Sequence, residues 1–393
     1  LPWNLVTPFG WNSWAKMEFR LSYEKVLEVS DFFKENLQNN NFENNGIVYI
    51  GMDAGWAKMS DEQLADIARH CKANGQKAGI YFTPFSDWGR DPEAYINGSS
   101  RYKCKDAYLY ANGKTQNMVA GGLAMDPTHP AIKERIRETA ERFKRLGYEY
   151  IKIDFLTHGC AEADYYYDPE VQTGMQAYNK GMAYLLEQME GMYITMAISP
   201  LFPSQYAHSR RIACDAWAGI GDTEYTLNSL TYGWWLNQVY TYNDPDHLLL
   251  EPVSDGENRA RITSGVITGI FMNGDDLSYI SGIQVAKDKA RKFLTNEDIN
   301  AIAKMGKSFR PVNGNMDGAD FLFMYDTGKE VYLAAFNYSG YDLTYDLPLS
   351  RLGLRESSTY KAKELWSGKE VKFKKNVRVC IPKKDVLVFR ITR

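Results

Sequence analysis

The chain has 393 residues, of which 44% are hydrophobic and 24% charged, with a formal net charge of -3 and five cysteines. That length exceeds one ordinary core and suits a large barrel plus a smaller domain, and the near-neutral charge excludes a polyanion or an anionic membrane surface as the main partner. Cys71, Cys104, Cys160, Cys214 and Cys380 show no CxxC spacing, the histidines form no HxH or HExxH pair, and no apolar run reaches about 20 residues, which argues against a zinc site, a disulfide framework and a membrane-spanning helix.

The 27 Tyr and 9 Trp point instead to a neutral ligand, because flat side chains with polar tips match the apolar faces and hydroxyl edges of sugars. The chain opens at Leu1-Pro2-Trp3 without a methionine, as a mature or trimmed chain would. A secreted or periplasmic protein is the expectation.

In chain order, Thr7-Pro8-Phe9-Gly10-Trp11-Asn12-Ser13-Trp14 reads as a short strand leading into a loop that carries two tryptophans. Ser22 is an N-cap for an amphipathic helix to about Leu37. Ile47 to Gly51 is a second buried strand, followed by Asp53 and Trp56, and Ser60 with Gln63 forms a capping box for a helix ending near Ala73. Lys77 to Phe82 is a third strand, leading into a long polar excursion to about Ala124 that reads as a rim of a cleft. Pro130 opens a helix whose buried stripe is Ile132, Ile136, Ala140 and Phe143, stopped by Gly147.

The central stretch is Tyr150-Ile-Lys-Ile-Asp-Phe155. Alternation along a strand puts Lys152 and Asp154 on one face, and two charges on one interior face point to an active site. Asp168-Pro169 reads as the start of a helix to Met189, Met192 to Ile198 as a fifth strand, and Ser209 to Trp217 as a short sixth strand holding Arg211 and Asp215. Gln238 to Tyr242 is a seventh strand ending in Asn243-Asp244-Pro245-Asp246-His247, and Arg261 to Ile270 carries a helix into an eighth strand near Phe271. Eight strand-helix units within roughly 310 residues predict a (β/α)8 TIM barrel with insertions. After about Arg310 the helical period disappears and short alternating segments predict an antiparallel β-sandwich packed on the barrel. The expected division is residues 1-309 for a catalytic barrel and 310-393 for the sandwich.

In such a barrel chemistry sits at the C-terminal ends of the strands. Trp14, Asp53, Trp56, Tyr81, Lys152, Asp154, Arg211, Asp215 and Asp246 all fall there. Two aspartates from different strands, one beside a lysine and one near an arginine, suit glycoside hydrolysis by a nucleophile and an acid/base. A neighbouring Lys152 would keep Asp154 ionised as the nucleophile, leaving Asp215 as the acid.

The ordered motifs Gly-Trp-Asn-Ser-Trp, Met-Asp-Ala-Gly-Trp, Ala-Gly-Ile-Tyr, Tyr-Ile-Lys-Ile-Asp, Arg-Ile-Ala-Cys-Asp and Asn-Asp-Pro-Asp resemble the α-galactosidase-type glycoside hydrolases of family 27, in one clan with family 36. The resemblance implies retaining, exo-acting removal of a terminal α-galactose-like unit. It implies no cofactor and no metal. By resemblance Asp154 corresponds to the nucleophile and Asp215 to the acid/base, with Trp14, Asp53, Tyr81, Lys152 and Arg211 at sugar-binding positions. Trp56 and Asp246 are further candidates for substrate contact. The implied partner is a carbohydrate, with neither nucleic acid nor membrane insertion. Family members usually carry a second aspartate and a cysteine before the tryptophan of the second motif, where this chain has Ala54 and Gly55. Ala197-Ile198-Ser199-Pro200 and His247 also depart from the family pattern. These departures bear on sugar specificity, and a β-L-arabinopyranoside or an α-N-acetylgalactosaminide is an alternative substrate. A degenerate, carbohydrate-binding barrel is the non-enzymatic alternative, and the presence of both aspartates speaks against it.

Overall fold

The computed structural model describes residues 1-314 and 317-393. Eight parallel strands form the core: β1 (Phe9–Asn12), β2 (Tyr49–Gly51), β3 (Lys77–Phe82), β4 (Tyr148–Ile153), β5 (Tyr193–Met196), β6 (Ser209–Arg211), β7 (Tyr242–Asp244) and β8 (Phe271–Asn273). Their order is β7-β6-β5-β4-β3-β2-β1-β8, and parallel bridges Asn243–Gly269 and Leu248–Asn273 join the two ends. The ring therefore closes as the expected TIM-type barrel. Burial on both faces explains why β2, β5 and most of β3 read as nearly continuous apolar runs, while β6 and β7 are polar.

Helices α1 (Tyr23–Phe32), α2 (Asp61–Ala73), α3 (Pro130–Leu146), α4 (Gly174–Gln188), α5 (Ile220–Gly233), α6 (Asp255–Val266), α7 (Gln284–Phe293) and α8 (Glu297–Met305) lie outside the sheet. The expected caps are present for three of them. Ser22 caps α1, and Ser60 and Gln63 make the reciprocal box at α2. Pro130 opens α3 and left-handed Gly147 closes it, with Ile132, Ile136, Ala140 and Phe143 buried.

Four expectations need correction. The fifth unit has no helix: residues 197–208 pass from β5 to β6 as irregular chain, anchored by Arg210, whose guanidinium donates to the Ser199 hydroxyl and to the Ser199 and Pro200 carbonyls. The fourth helix starts at Gly174, because Thr173 and Gln176 form its capping box, while Asp168 pairs with Lys180 at 2.5 Å. The seventh strand lies at Tyr242–Asp244, after a 3-10 turn at Trp234–Gln238. The helix before β8 begins at Asp255 under a Ser254 cap, six residues before Arg261.

Beyond the barrel, one antiparallel sheet of eight strands contains β9 (Arg310–Pro311), β10 (Leu322–Asp326), β11 (Glu330–Asn337), β12 (Leu343–Pro348), β13 (Thr359–Glu364), β14 (Glu370–Lys374), β15 (Asn376–Ile381) and β16 (Asp385–Thr392). Its order is β9-β10-β11-β16-β13-β14-β15-β12. One face joins the barrel core through Phe323, Tyr332, Phe336, Val386 and Val388. The other encloses a separate core around Leu333, Leu349, Val377 and Ile391.

Candidate active site at the barrel mouth

The C-terminal ends of the strands converge on a cluster of charged side chains. From β4, Lys152 Nζ lies 2.9 Å from Asp53 Oδ2, just beyond β2. Asn12 Nδ2, at the end of β1, donates to the same oxygen at 3.0 Å, and the Ala54 N–H donates to Oδ1 at 2.9 Å. Asp53 is buried, which by itself would raise its pKa. Lys152 and these hydrogen bonds overcome that and hold the carboxyl below its usual range.

Asp154 follows the last residue of β4. Oδ2 accepts from the Tyr81 hydroxyl at 2.9 Å and Oδ1 from the Phe155 N–H at 2.8 Å. Phe155 has a φ of 54°, a left-handed conformation that is costly for a bulky residue, and it turns that N–H back onto the carboxylate. Burial raises the Asp154 pKa, Lys152 opposes the rise, and the neighbouring Asp53 charge adds to it; the net direction is upward. The expectation that Lys152 keeps Asp154 ionised is thus revised: the ammonium bonds directly to Asp53, and burial outweighs its effect on Asp154.

Full extension from Ser209 to Trp217 would put Arg211 and Asp215 on one face, and a bulge would not. The strand ends at Arg211 and Asp215 lies in the following loop, so strand alternation does not bring them together. An ion pair does, with Arg211 Nη2 2.9 Å from Asp215 Oδ1. Arg211 Nη1 is 2.9 Å from Asp246 Oδ1, and Asp246 Oδ2 accepts from the Ala216 N–H at 2.9 Å. Asp246 therefore grips the Asp215 loop twice, through Arg211 and through the backbone beside Asp215. Burial would raise the Asp246 pKa, but Arg211 overcomes it and the value falls to about 2. His247 Nδ1 also lies 3.0 Å from Asp246 Oδ1. Burial lowers the His247 pKa, and neither ring nitrogen has a well-aligned hydrogen-bond partner, so the guanidinium supplies the holding charge.

Asp215 differs from the other acids in exposure. Its side chain is 54% accessible, against 5% for Asp246, and Oδ2 accepts no hydrogen bond among the described residues. Its charge, with those of Asp154 and Asp53, acts on the Tyr81 hydroxyl. Tyr81 therefore marks the common focus of the three carboxylates.

The aromatic candidates separate. Trp14 is half-buried at the end of β1 and stands edge-to-face against exposed Phe19 at 5.3 Å. Trp56 turns outward: its Nε1 donates to the Tyr81 carbonyl at 2.8 Å, its ring meets Phe143 of α3 edge-on at 5.4 Å, and Arg142 lies over it at 5.4 Å. It packs the helical layer and is set apart from the acid cluster.

Several residues were missed. Asn12 sits in the Gly-Trp-Asn-Ser-Trp motif and an asparagine at a strand end was the available signal. Asp244 Oδ1 accepts from the Asp246 N–H at 2.8 Å and Oδ2 from the Thr195 hydroxyl at 3.1 Å; its place in Asn-Asp-Pro-Asp could have marked it. Arg261, fully buried in α6, donates to the carbonyls of Trp217, Pro245 and His247. Nothing in a helical pattern announces that role. Among the described residues no cluster of histidine, cysteine, aspartate or glutamate could hold a metal ion, and no helix is long and apolar enough to cross a membrane.

The architecture is a closed parallel barrel with carboxylates at its mouth and an antiparallel C-terminal sheet packed against it. Comparison with known proteins narrows it. Residues 324–391 match the alpha galactosidase C-terminal beta sandwich domain. Alpha-galactosidase A of Aspergillus niger is 22% identical over 401 residues, covering 98% of this chain and 69% of that protein. Among solved structures, a family 27 β-L-arabinopyranosidase from Geobacillus stearothermophilus superposes with a TM-score of 0.77 at 14% identity, over 99% of this chain and 96% of that one. Alpha-galactosidase I of Mortierella vinacea gives 0.67 at 13% identity, over 98% and 96%. The chain is thus similar to alpha-galactosidases along its length and shares the fold of the family 27 structures.

Proposed function

We propose that the protein is a retaining, exo-acting glycoside hydrolase that removes terminal α-galactose-like units from neutral glycans. The observation that carries this reading is the contrast between the two acids. Asp154 is buried and held through both oxygens, whereas Asp215 is exposed with one oxygen open. In the first step an Asp154 oxygen attacks the anomeric carbon while the bond to the aglycone oxygen breaks, and Asp215 gives that oxygen its proton. In the second, Asp215 takes a proton from water, the resulting nucleophile attacks the anomeric carbon, and the bond to Asp154 breaks. Asp53, Lys152 and Trp14 are proposed to contact the sugar, and Tyr81 to hold Asp154. Residues 1-309 carry the chemistry and 310-393 support it.

The test is hydrolysis of nitrophenyl glycosides, with the anomer of the first product followed by NMR. A retained configuration is expected, and an inverted first product would overturn the covalent role of Asp154. Asp154→Asn should lose at least about 10³-fold in kcat with its melting temperature preserved.

A second substrate reading has its own support. Ala54 stands where family members usually carry another carboxylate, so hydrogen bonding to one sugar hydroxyl is reduced, and the arabinopyranosidase shares the fold along its whole length. A higher kcat/KM for a β-L-arabinopyranoside than for the α-galactoside would select it. A preference for an α-N-acetylgalactosaminide would reject both.

A further inference from the structure

We infer that tyrosines on the loops after β3 and β4 form a binding platform for a neutral polysaccharide, beyond the pocket that takes one terminal sugar. This inference extends the glycosidase reading and rests on it for the choice of ligand. Tyr95, Tyr165 and Tyr167 are 57%, 66% and 53% exposed. Tyr165 lies nearly parallel to Tyr110, with ring centroids 6.5 Å apart and an interplanar angle of 20°. Tyr167 meets His129 edge-on at 4.9 Å, and His129 meets Tyr102 at 4.6 Å. Tyr165 and Tyr167 flank Tyr166, which is buried with its hydroxyl on the Ala161 carbonyl at 3.1 Å.

The platform is rigid before any ligand arrives. Asp164 accepts the N–H groups of Asn112 and Gly113, both at 2.9 Å, and its own N–H donates to the Tyr110 carbonyl at 2.7 Å. The Tyr167 N–H donates to Asp126 at 2.7 Å. Both loops are thus stitched together and to the start of α3. Exposed apolar surface held in place this firmly needs a reason, since a monomer gains nothing from it, whereas preorganisation favours binding. The site also lies on the chemically active end of the barrel: His129 caps the N-terminus of α3, and barrel helices begin at the end where the strands finish.

Composition and charge favour a neutral glycan over a protein or a polyanion. Of the large apolar side chains exposed on these loops, only Val119 is aliphatic; the others are Trp88 and the tyrosines. Flat rings with polar tips suit sugar faces. Several of the nearby cations are already engaged: Lys103 and Lys105 pair with Glu93 at 2.7 and 2.5 Å, Lys180 pairs with Asp168 at 2.5 Å, Arg101 lies over the Tyr102 ring at 4.9 Å and Arg90 donates to Asn117 at 2.9 Å.

The experiment compares the full chain with a Tyr165→Ser, Tyr167→Ser variant, two exposed positions outside the acid cluster. In native gels containing galactomannan, arabinogalactan or dextran, the parent should be retarded by at least one polymer and the variant should not. Hydrolysis of a nitrophenyl monoglycoside should be unchanged. For the retarding polymer, if it is a substrate, kcat/KM should fall roughly tenfold, the worth of two lost stacking faces. No retardation of the parent, or equal retardation of both proteins, overturns the platform. A shift from dimer to monomer in the variant by sedimentation would make the strip a self-interface and also overturn it. If no glycoside is hydrolysed, the glycosidase reading fails while the gels still decide the platform.

Discussion

Each oxygen of Asp154 accepts one hydrogen bond, and the direction of its pKa makes that arrangement testable. Burial raises the pKa, while the Tyr81 hydroxyl pulls it down. If Asp154 is the proposed nucleophile it must be ionised, and its pKa then sets the acidic limb of kcat/KM. Removing the donor in Tyr81→Phe raises that pKa further, and the limb should move to higher pH; a profile identical to the parent's would show that the hydroxyl does not tune Asp154. Asp246 provides the opposite sign. Its folded-state pKa is about 2 against an ordinary 3.8, so it stabilises the fold above about pH 4 and loses that contribution as pH falls toward 2. Asp246→Asn should therefore be less stable than the parent at pH 6, and urea midpoints should converge near pH 2. Because Asp246 holds the Asp215 loop, the same variant should lose about tenfold in kcat with a smaller change in KM.

At the level of elements, the loops after β6 and β7 work as one unit because Arg261 bonds to the carbonyls of Trp217, Pro245 and His247 from within α6. Burial lowers its pKa to about 10, the acids around it only partly compensating. It therefore remains charged at neutral pH. Arg261→Ala would leave three inward-facing carbonyls short of a donor and should cost about 3 kcal/mol or more, read as a lower guanidinium midpoint. This explains what the sequence could and could not disclose. Strands β3 and β4 were legible because a glycine precedes each apolar run and Asp154 ends the second, and α2 because Ser60 and Gln63 are local signals. The carboxylates were legible because charges at strand ends conflict with packing. The role of Arg261 was not, since the carbonyls it holds lie 14 to 44 residues away. The missing helix between β5 and β6 was equally hidden, because the number of barrel strands does not dictate what connects them. Trp56 was misleading for a related reason: a tryptophan after a strand can face the mouth or the helical layer, and Phe143 and Arg142 decide the matter here.

For the whole molecule, the two sheets share a core. Trp366 donates to the Thr263 hydroxyl of α6 at 2.9 Å and meets Phe293 of α7 edge-on at 6.1 Å. Arg259 of α6 forms a fork on Asp385, with bonds of 3.0 and 2.7 Å, and Asp298 of α8 joins Lys363 and Arg390. Since α6 also carries Arg261, the helix that clamps the loops after β6 and β7 is the one on which the C-terminal sheet docks. Loss of the sheet would strip α6 of its outer packing and loosen the loop bearing Asp215. The expected behaviour of the parent is one cooperative thermal transition with equal calorimetric and van't Hoff enthalpies. Trp366→Ala removes a large contact at the junction and should lower global stability by about 3–5 kcal/mol. If the sheet instead serves as an independent appendage, the variant will show two transitions, with the barrel melting where it did before and hydrolysis unchanged up to that temperature. A single transition at lower temperature, with activity lost in step, would establish that the C-terminal sheet is part of the structure that holds Asp215 in place.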